Sequence, residues 1–122
     1  MQNGASILII DDDELLCDML ASLLELEGAD VVIAHDGASG LEYCRNGVFD
    51  CILLDLVMPR MDGLQFMRTI GRHVPHHAPI IVMSASVTAS ILEEGRDYGV
   101  AAMVRKPIEP GILLAAISNA MS

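Results

Sequence analysis

Tryptophan is absent from this chain, and two phenylalanines and two tyrosines are its only large rings. With 52% of its 122 residues hydrophobic but 3% aromatic, the core has to be built from Leu, Ile, Val, Ala and Met, which suits an aliphatic parallel sheet covered by helices. No run approaches the roughly 20 apolar residues that cross a bilayer. The opening MQNGAS has neither the basic start nor the apolar stretch of a secretory leader, so a cytoplasmic protein with no membrane insertion is expected. Basic side chains are also scarce, 7 against 17 acidic, for a formal charge of −10. Such a balance leaves no cationic surface for phosphate backbones or anionic headgroups, and direct nucleic-acid binding is not expected. The three cysteines, Cys17, Cys44 and Cys51, are odd in number and widely spaced within apolar patterns. That excludes a disulfide framework and a paired zinc motif, and leaves them as small reduced core residues.

What is present is a regular alternation. Residues 7 to 10 are wholly apolar and stop at Asp11, Asp12 and Asp13, the pattern of a strand buried on both faces that runs into an acidic loop. Leu15, Leu16, Met19, Leu20, Leu23 and Leu24 then recur at helical spacing, opposite Glu14, Asp18, Ser22 and Glu25, and Gly28 supplies the stop. The pattern repeats with strands at 31 to 34, 51 to 54, 80 to 83 and 101 to 104. Helices are expected at about 36 to 46, 62 to 72, 87 to 97 and 110 to 120, the first of these weakened by Gly37, Gly40 and Gly47. Five strands alternating with five helices predict an α/β fold, a doubly wound five-stranded parallel sheet with helices on both faces. No linker or low-complexity stretch interrupts residues 1 to 122, so one domain is expected.

In such a fold, function lies at the carboxyl ends of the strands. Reading there gives Asp11 and Asp12 after the first strand, Asp55 after the third, Ser84 after the fourth and Lys106 after the fifth. With strand order 2-1-3-4-5, the first and third strands are neighbours, and three carboxylates share one crevice with Ser84 and Lys106 beside them. Carboxylates so placed repel unless a cation intervenes. Magnesium fits, because it takes oxygen ligands and usually completes its shell with water and phosphate oxygens.

At these positions the chain resembles the receiver domains of bacterial two-component response regulators, through ILIIDD (7 to 12), LLDLVMPRMDG (53 to 63), MSAS (83 to 86) and RKP (105 to 107). The resemblance covers nearly the whole chain and implies a flavodoxin-like three-layer sandwich and a stand-alone, chemotaxis-type single-domain receiver. It implies that Asp55 accepts a phosphoryl group from a histidine kinase or a histidine phosphotransfer protein in a Mg2+-dependent reaction. Asp12 then resembles the direct metal ligand, Asp11 a ligand through water, and Val57 the donor of a backbone carbonyl. Ser84 resembles the hydroxyl that follows the phosphoryl oxygen, Lys106 the ammonium that pairs with it, and Lys106-Pro107 a cis peptide. The output is expected to be a conformational change read by a downstream protein at the fourth helix, fifth strand and fifth helix, about 87 to 119. Such a domain is a phosphoacceptor that assists its own phosphorylation and slow dephosphorylation, not an enzyme with an external substrate. One departure stands out: many receivers carry an aromatic switch residue three positions before the lysine, where this chain has Met103.

Simpler roles exist for several of these residues. Asp13 suits a helix N-cap, Asp55 closes a strand, and Ser84 suits a cap of the following helix. His73, His76 and His77, in HVPHH, fall among prolines with no acid or cysteine to complete a metal set, and His35 reads as a solvated loop residue. Two rival functions remain. A haloacid-dehalogenase-type phosphatase also uses a strand-end aspartate and magnesium, but expects Asp-x-Asp where Asp55 is followed by Leu56 and Val57. A pseudo-receiver, binding partners without phosphorylation, would have little use for the complete acidic set.

Overall fold

The computed structural model describes residues 4–58, 62–74, 77–85 and 89–122. Pro59, Pro75, His76 and the stretch 86–88, to which the sequence assigned a turn, part of HVPHH and the start of the fourth helix, lie outside the described residues.

Among the described residues ten elements alternate, strand then helix. They are β1 (Ser6–Ile10), α1 (Glu14–Leu26), β2 (Asp30–Ala34), α2 (Gly37–Asn46), β3 (Cys51–Asp55), α3 (Gly63–His73), β4 (Ile80–Ser84), α4 (Ala89–Arg96), β5 (Val100–Arg105) and α5 (Pro110–Met121). All pairings are parallel, as the alternation predicted, and the strand order is β2-β1-β3-β4-β5, the one expected. The central strands β3 and β4 are buried at every position, whereas the edge strand β2 is half-buried along most of its length and β5 mixes buried, half-buried and exposed positions. Successive strand residues point to opposite faces, and two cores result. Leu8, Ile10, Ile52, Leu54, Ile80 and Val82 pack with Leu41 of α2 and Phe66, Met67 and Ile70 of α3. On the other face Ile7, Ile9, Leu53, Ile81 and Met83 pack with Leu20 and Leu24 of α1 and Leu113 and Ile117 of α5. Burying each such side chain contributes about 1.5 to 3 kcal/mol before chain entropy is counted.

Three aspartates outside the crevice start helices. Asp13, Asp36 and Asp62 cap α1, α2 and α3 by accepting from the backbone N–H of Leu16, Ser39 and Gln65, which satisfies donors that the first turn leaves orphaned. Part of the acidic charge is therefore structural.

Several expectations are changed by the structure. Asp55 and Ser84 are the last residues of β3 and β4, not the first after them, because the hydrogen-bonded ladder continues past the apolar run to the pairs Asp55–Met83 and Ser84–Arg105. His73 is the last residue of α3 rather than part of a loop. Gly63 opens α3, as the expected helix allowed, and sits close against β3: its N–H donates to the Leu56 carbonyl, and an added Cβ would lie 2.7 Å from Leu56 Cα. Gly40, expected only to weaken α2, also seats it closely on β1, since a Cβ there would lie 2.6 Å from Ile10 Cδ1.

Candidate functional site

Register places the polar residues in a row. Ile10 pairs with Leu54 on one side and with Ala34 on the other, so Asp11 leaves the sheet between Asp55 and His35. Ser84 ends the neighbouring β4, and the Lys106 N–H donates to its carbonyl at 2.8 Å. The ends of β4 and β5 are thereby tied together, and Lys106 is turned back towards the carboxylates. Lys106-Pro107 is a cis peptide, as the resemblance implied.

Asp11, Asp12 and Asp55 each offer a carboxylate oxygen, and these atoms all lie within 4.8 Å of one another. Asp11 is fully buried and Asp55 is 5% exposed, while Asp12 faces solvent. Lys106 Nζ lies 2.9 Å from Asp11 Oδ2 and 3.3 Å from Asp55 Oδ1. One ammonium against three carboxylates leaves an excess of negative charge. Burial, followed by repulsion from Asp11, pushes the Asp55 carboxyl above its ordinary value, although Lys106 and the Val57 N–H, 3.3 Å from Oδ1, pull the other way. Burial alone would lower the Lys106 pKa, but its hydrogen bond to Asp11 and the charges of Asp11 and Asp55 outweigh that and raise it. The donor set is all oxygen and anionic, partly buried and incompletely neutralised, which fits a hard divalent cation.

The remaining expected site residues occupy distinct places. The Val57 side chain is 77% exposed, so only its backbone faces Asp55. Met103 lies on β5 opposite Val82, half-buried against the core that contains Phe66. It is separated from the carboxylate cluster by the β5 segment that leads to Lys106. All three cysteines are free and buried.

Two residues given only bland roles touch the site. Cys17 Sγ donates to the Asp11 carbonyl at 3.3 Å, and His35 Nδ1 lies 3.2 Å from the same oxygen. His35 is exposed, as a solvated loop residue would be. Its contact follows from the β1–β2 register, one residue past the Ile10–Ala34 pair, which the sequence pattern alone does not fix.

Parallel strands thus bring three carboxylates and a lysine together at the carboxyl end of an α/β sheet, where they could hold a metal ion. The family model for the response regulator receiver domain matches residues 7–118, and the chain belongs to that family. Among curated relatives it is 35% identical over 121 residues to the uncharacterized transcriptional regulatory protein YkoG of Bacillus subtilis, covering 99% of this chain and 52% of that protein. It is 32% identical to the transcriptional regulatory protein CpxR of Escherichia coli, covering 91% of this chain and 47% of that one. The chain thus spans about half the length of these relatives. Among solved structures, the Vibrio cholerae chemotaxis protein CheY4 superposes with a TM-score of 0.88 at 26% identity, covering 96% of this chain and 98% of that one. A CheY-like receiver domain protein from Methanospirillum hungatei gives 0.88 at 28%, covering 98% and 94%. The doubly wound, flavodoxin-like fold is the one these structures share, and no helix among the described residues is long and apolar enough to cross a membrane.

Proposed function

We propose that Asp55 is the phosphoacceptor of a Mg2+-dependent switch, and that residues 1–122 act as one receiver domain. The convergence of Asp11, Asp12 and Asp55 around Lys106 carries this reading. An Asp55 carboxylate oxygen attacks phosphorus of a phosphohistidine on a kinase or phosphotransfer protein. The new O–P bond forms as the P–N bond breaks, and the imidazole leaves with the electron pair. Asp12, Asp55 and the Val57 carbonyl would hold Mg2+, with Asp11 acting through water, and the ion would neutralise charge on the phosphoryl oxygens. Lys106, already within 3.3 Å of Asp55, exchanges carboxylates for a phosphoryl oxygen, and the Ser84 hydroxyl donates to another. The product is a reactive acyl phosphate, which suits a signal that must decay.

In this reading the output passes to a protein partner at α4, β5 and α5. An open groove of about 420 Å3 lies there, lined by Ala101, Ile112, Ala115, Ala116 and Asn119. Ile112 is 60% exposed, and α5 carries no charged side chain. That face suits an apolar protein surface and not nucleic acid.

Incubation with acetyl phosphate and Mg2+, followed by intact mass, tests the proposal. The expected result is a single phosphate that disappears in Asp55→Asn and does not form when Mg2+ is chelated. Unchanged mass would favour a phosphorylation-independent interaction module, and sustained turnover of acetyl phosphate without accumulation would favour a phosphatase.

A further inference from the structure

Asp11 has a partner for every polar atom. Its N–H donates to Ala34, its Oδ1 accepts from the Asp13 N–H at 2.9 Å, and its Oδ2 accepts from Lys106 at 2.9 Å. Its carbonyl oxygen is held by Cys17 Sγ and His35 Nδ1. Asp12 is different. It is exposed, and no hydrogen bond to its carboxylate is made among the described residues, yet one of its oxygens sits within 4.8 Å of oxygens from Asp11 and Asp55. Its placement therefore depends on the backbone, above all on the peptide plane between Asp11 and Asp12.

That plane is rigid, so fixing its oxygen fixes the direction in which Asp12 leaves it. Cys17 offers a thiol, a weak donor. A carbonyl oxygen can only accept, so the His35 ring carries its proton on Nδ1 where the two meet, and that N–H is the stronger of the two restraints. His35 is supplied by β2, one residue past the Ile10–Ala34 pair, so the restraint links the edge strand to the acidic loop.

We propose that His35 is a positioning residue of the cation site: by donating Nδ1–H to the Asp11 carbonyl it holds the Asp11–Asp12 peptide, and with it the Asp12 carboxylate, in the orientation that receives the ion. The inference rests on the reading of Asp12 as a ligand. His35 touches neither the ion nor the phosphoryl group and acts only through Asp11. Because the ring is exposed and borders an open groove beside Asp36 and Tyr43, replacing it leaves no buried void.

Calorimetric titration of the full chain with MgCl2 tests this in the wild type, Asp12→Ala, His35→Ala, His35→Gln and His35→Asn. His35→Ala should weaken Mg2+ binding by about two- to fivefold, the range expected for a single neutral, partly solvated hydrogen bond. His35→Asn should restore affinity because its amide nitrogen stands close to where Nδ1 stood, whereas His35→Gln, whose amide reaches further, should not. Nitrogen chemical shifts of the ring in the metal-free protein should show Nδ1 protonated. Wild-type affinity in His35→Ala, equal weakening in the alanine and asparagine variants, or a ring protonated only on Nε2 would each overturn the assignment. Unchanged Mg2+ affinity in Asp12→Ala would overturn the cation-site reading itself, a result separable from failure at His35 alone.

Discussion

At Asp55 two influences oppose each other: burial and the neighbouring Asp11 disfavour the charge, while Lys106 and the Val57 N–H favour it, and the first pair prevails. A carboxyl whose folded pKa lies above its unfolded value stabilises the fold fully at pH below the unfolded value, and that contribution is lost as pH rises through the folded one. At neutral pH without Mg2+ the Asp55 charge therefore weighs against folding. Asp55→Asn should stabilise the metal-free protein at pH 7, and the gain should fade as the pH falls into the ordinary carboxyl range. Urea midpoints measured at pH 7 and in that lower range check this; a variant less stable than wild type at pH 7 would show that the Lys106 pair outweighs the repulsion. The thiols behave oppositely to reactive cysteines. Burial pushes Cys17 and Cys51 up to about 12 and Cys44 to about 11, with Asp11 and Asp13 adding to the effect on Cys17. Ellman's reagent at pH 8 should label none of the three within minutes in the folded protein and all three in urea, because the thiolate, not the thiol, is the nucleophile. Rapid native labelling of any one of them would contradict its burial.

The central strands were legible as elements because burial on both faces removes polar residues from the run, and Ile7 to Ile10, Cys51 to Leu54 and Ile80 to Met83 carry none. Their last residues were not legible. Asp55 and Ser84 end the apolar pattern but still pair in the ladder, since hydrogen bonding is made by the backbone and does not see side-chain polarity. Helix propensity gave no hint of the close packing of Gly40 on Ile10, and the His35 contact was hidden because strand register is a tertiary property. The same packing logic gives a prediction at the start of α3. A Cβ on Gly63 would meet Leu56 Cα at 2.7 Å and the Asp55 carbonyl at 2.9 Å, backbone atoms that cannot turn aside. Gly63→Ala should cost about 1 to 3 kcal/mol through displacement of α3 from the end of β3. Because the clash falls on Asp55 itself, phosphorylation by acetyl phosphate should slow as well. Denaturant unfolding and intact-mass kinetics of the same sample check both effects, and a variant with wild-type stability and rate would show that α3 yields freely.

Over the whole molecule, a change at the acidic crevice must cross the sheet to reach the α4–β5–α5 face, and two connections are available in the described structure. One is backbone: Lys106 N–H donates to the Ser84 carbonyl, so a displacement of Ser84 moves the end of β5. The other is side chain, through Met103, which pairs with Val82 and packs on the core that holds Phe66. Methionine has three flexible torsions and little polarity. Its rotamers therefore differ less in energy than the two positions of an aromatic ring that seals a pocket. A ligand shifts an equilibrium only by its differential affinity for the two states, so little of the phosphoryl group's effect should pass through Met103. The backbone route through Ser84 and its bond to the Lys106 N–H should carry most of it. Met103→Ala is accordingly expected to change the ratio of switched to unswitched protein after phosphorylation by less than about tenfold, or 1.4 kcal/mol. Amide chemical shifts of Ala101, Ala115 and Asn119, followed with and without acetyl phosphate and Mg2+, measure that ratio on the proposed output face. If those shifts respond to phosphorylation in the wild type but stay fixed in Met103→Ala, the methionine performs the aromatic residue's task and the backbone route is insufficient. If they respond in Met103→Ala and fail in Ser84→Ala, the signal leaves the crevice along the hydroxyl-bearing end of β4.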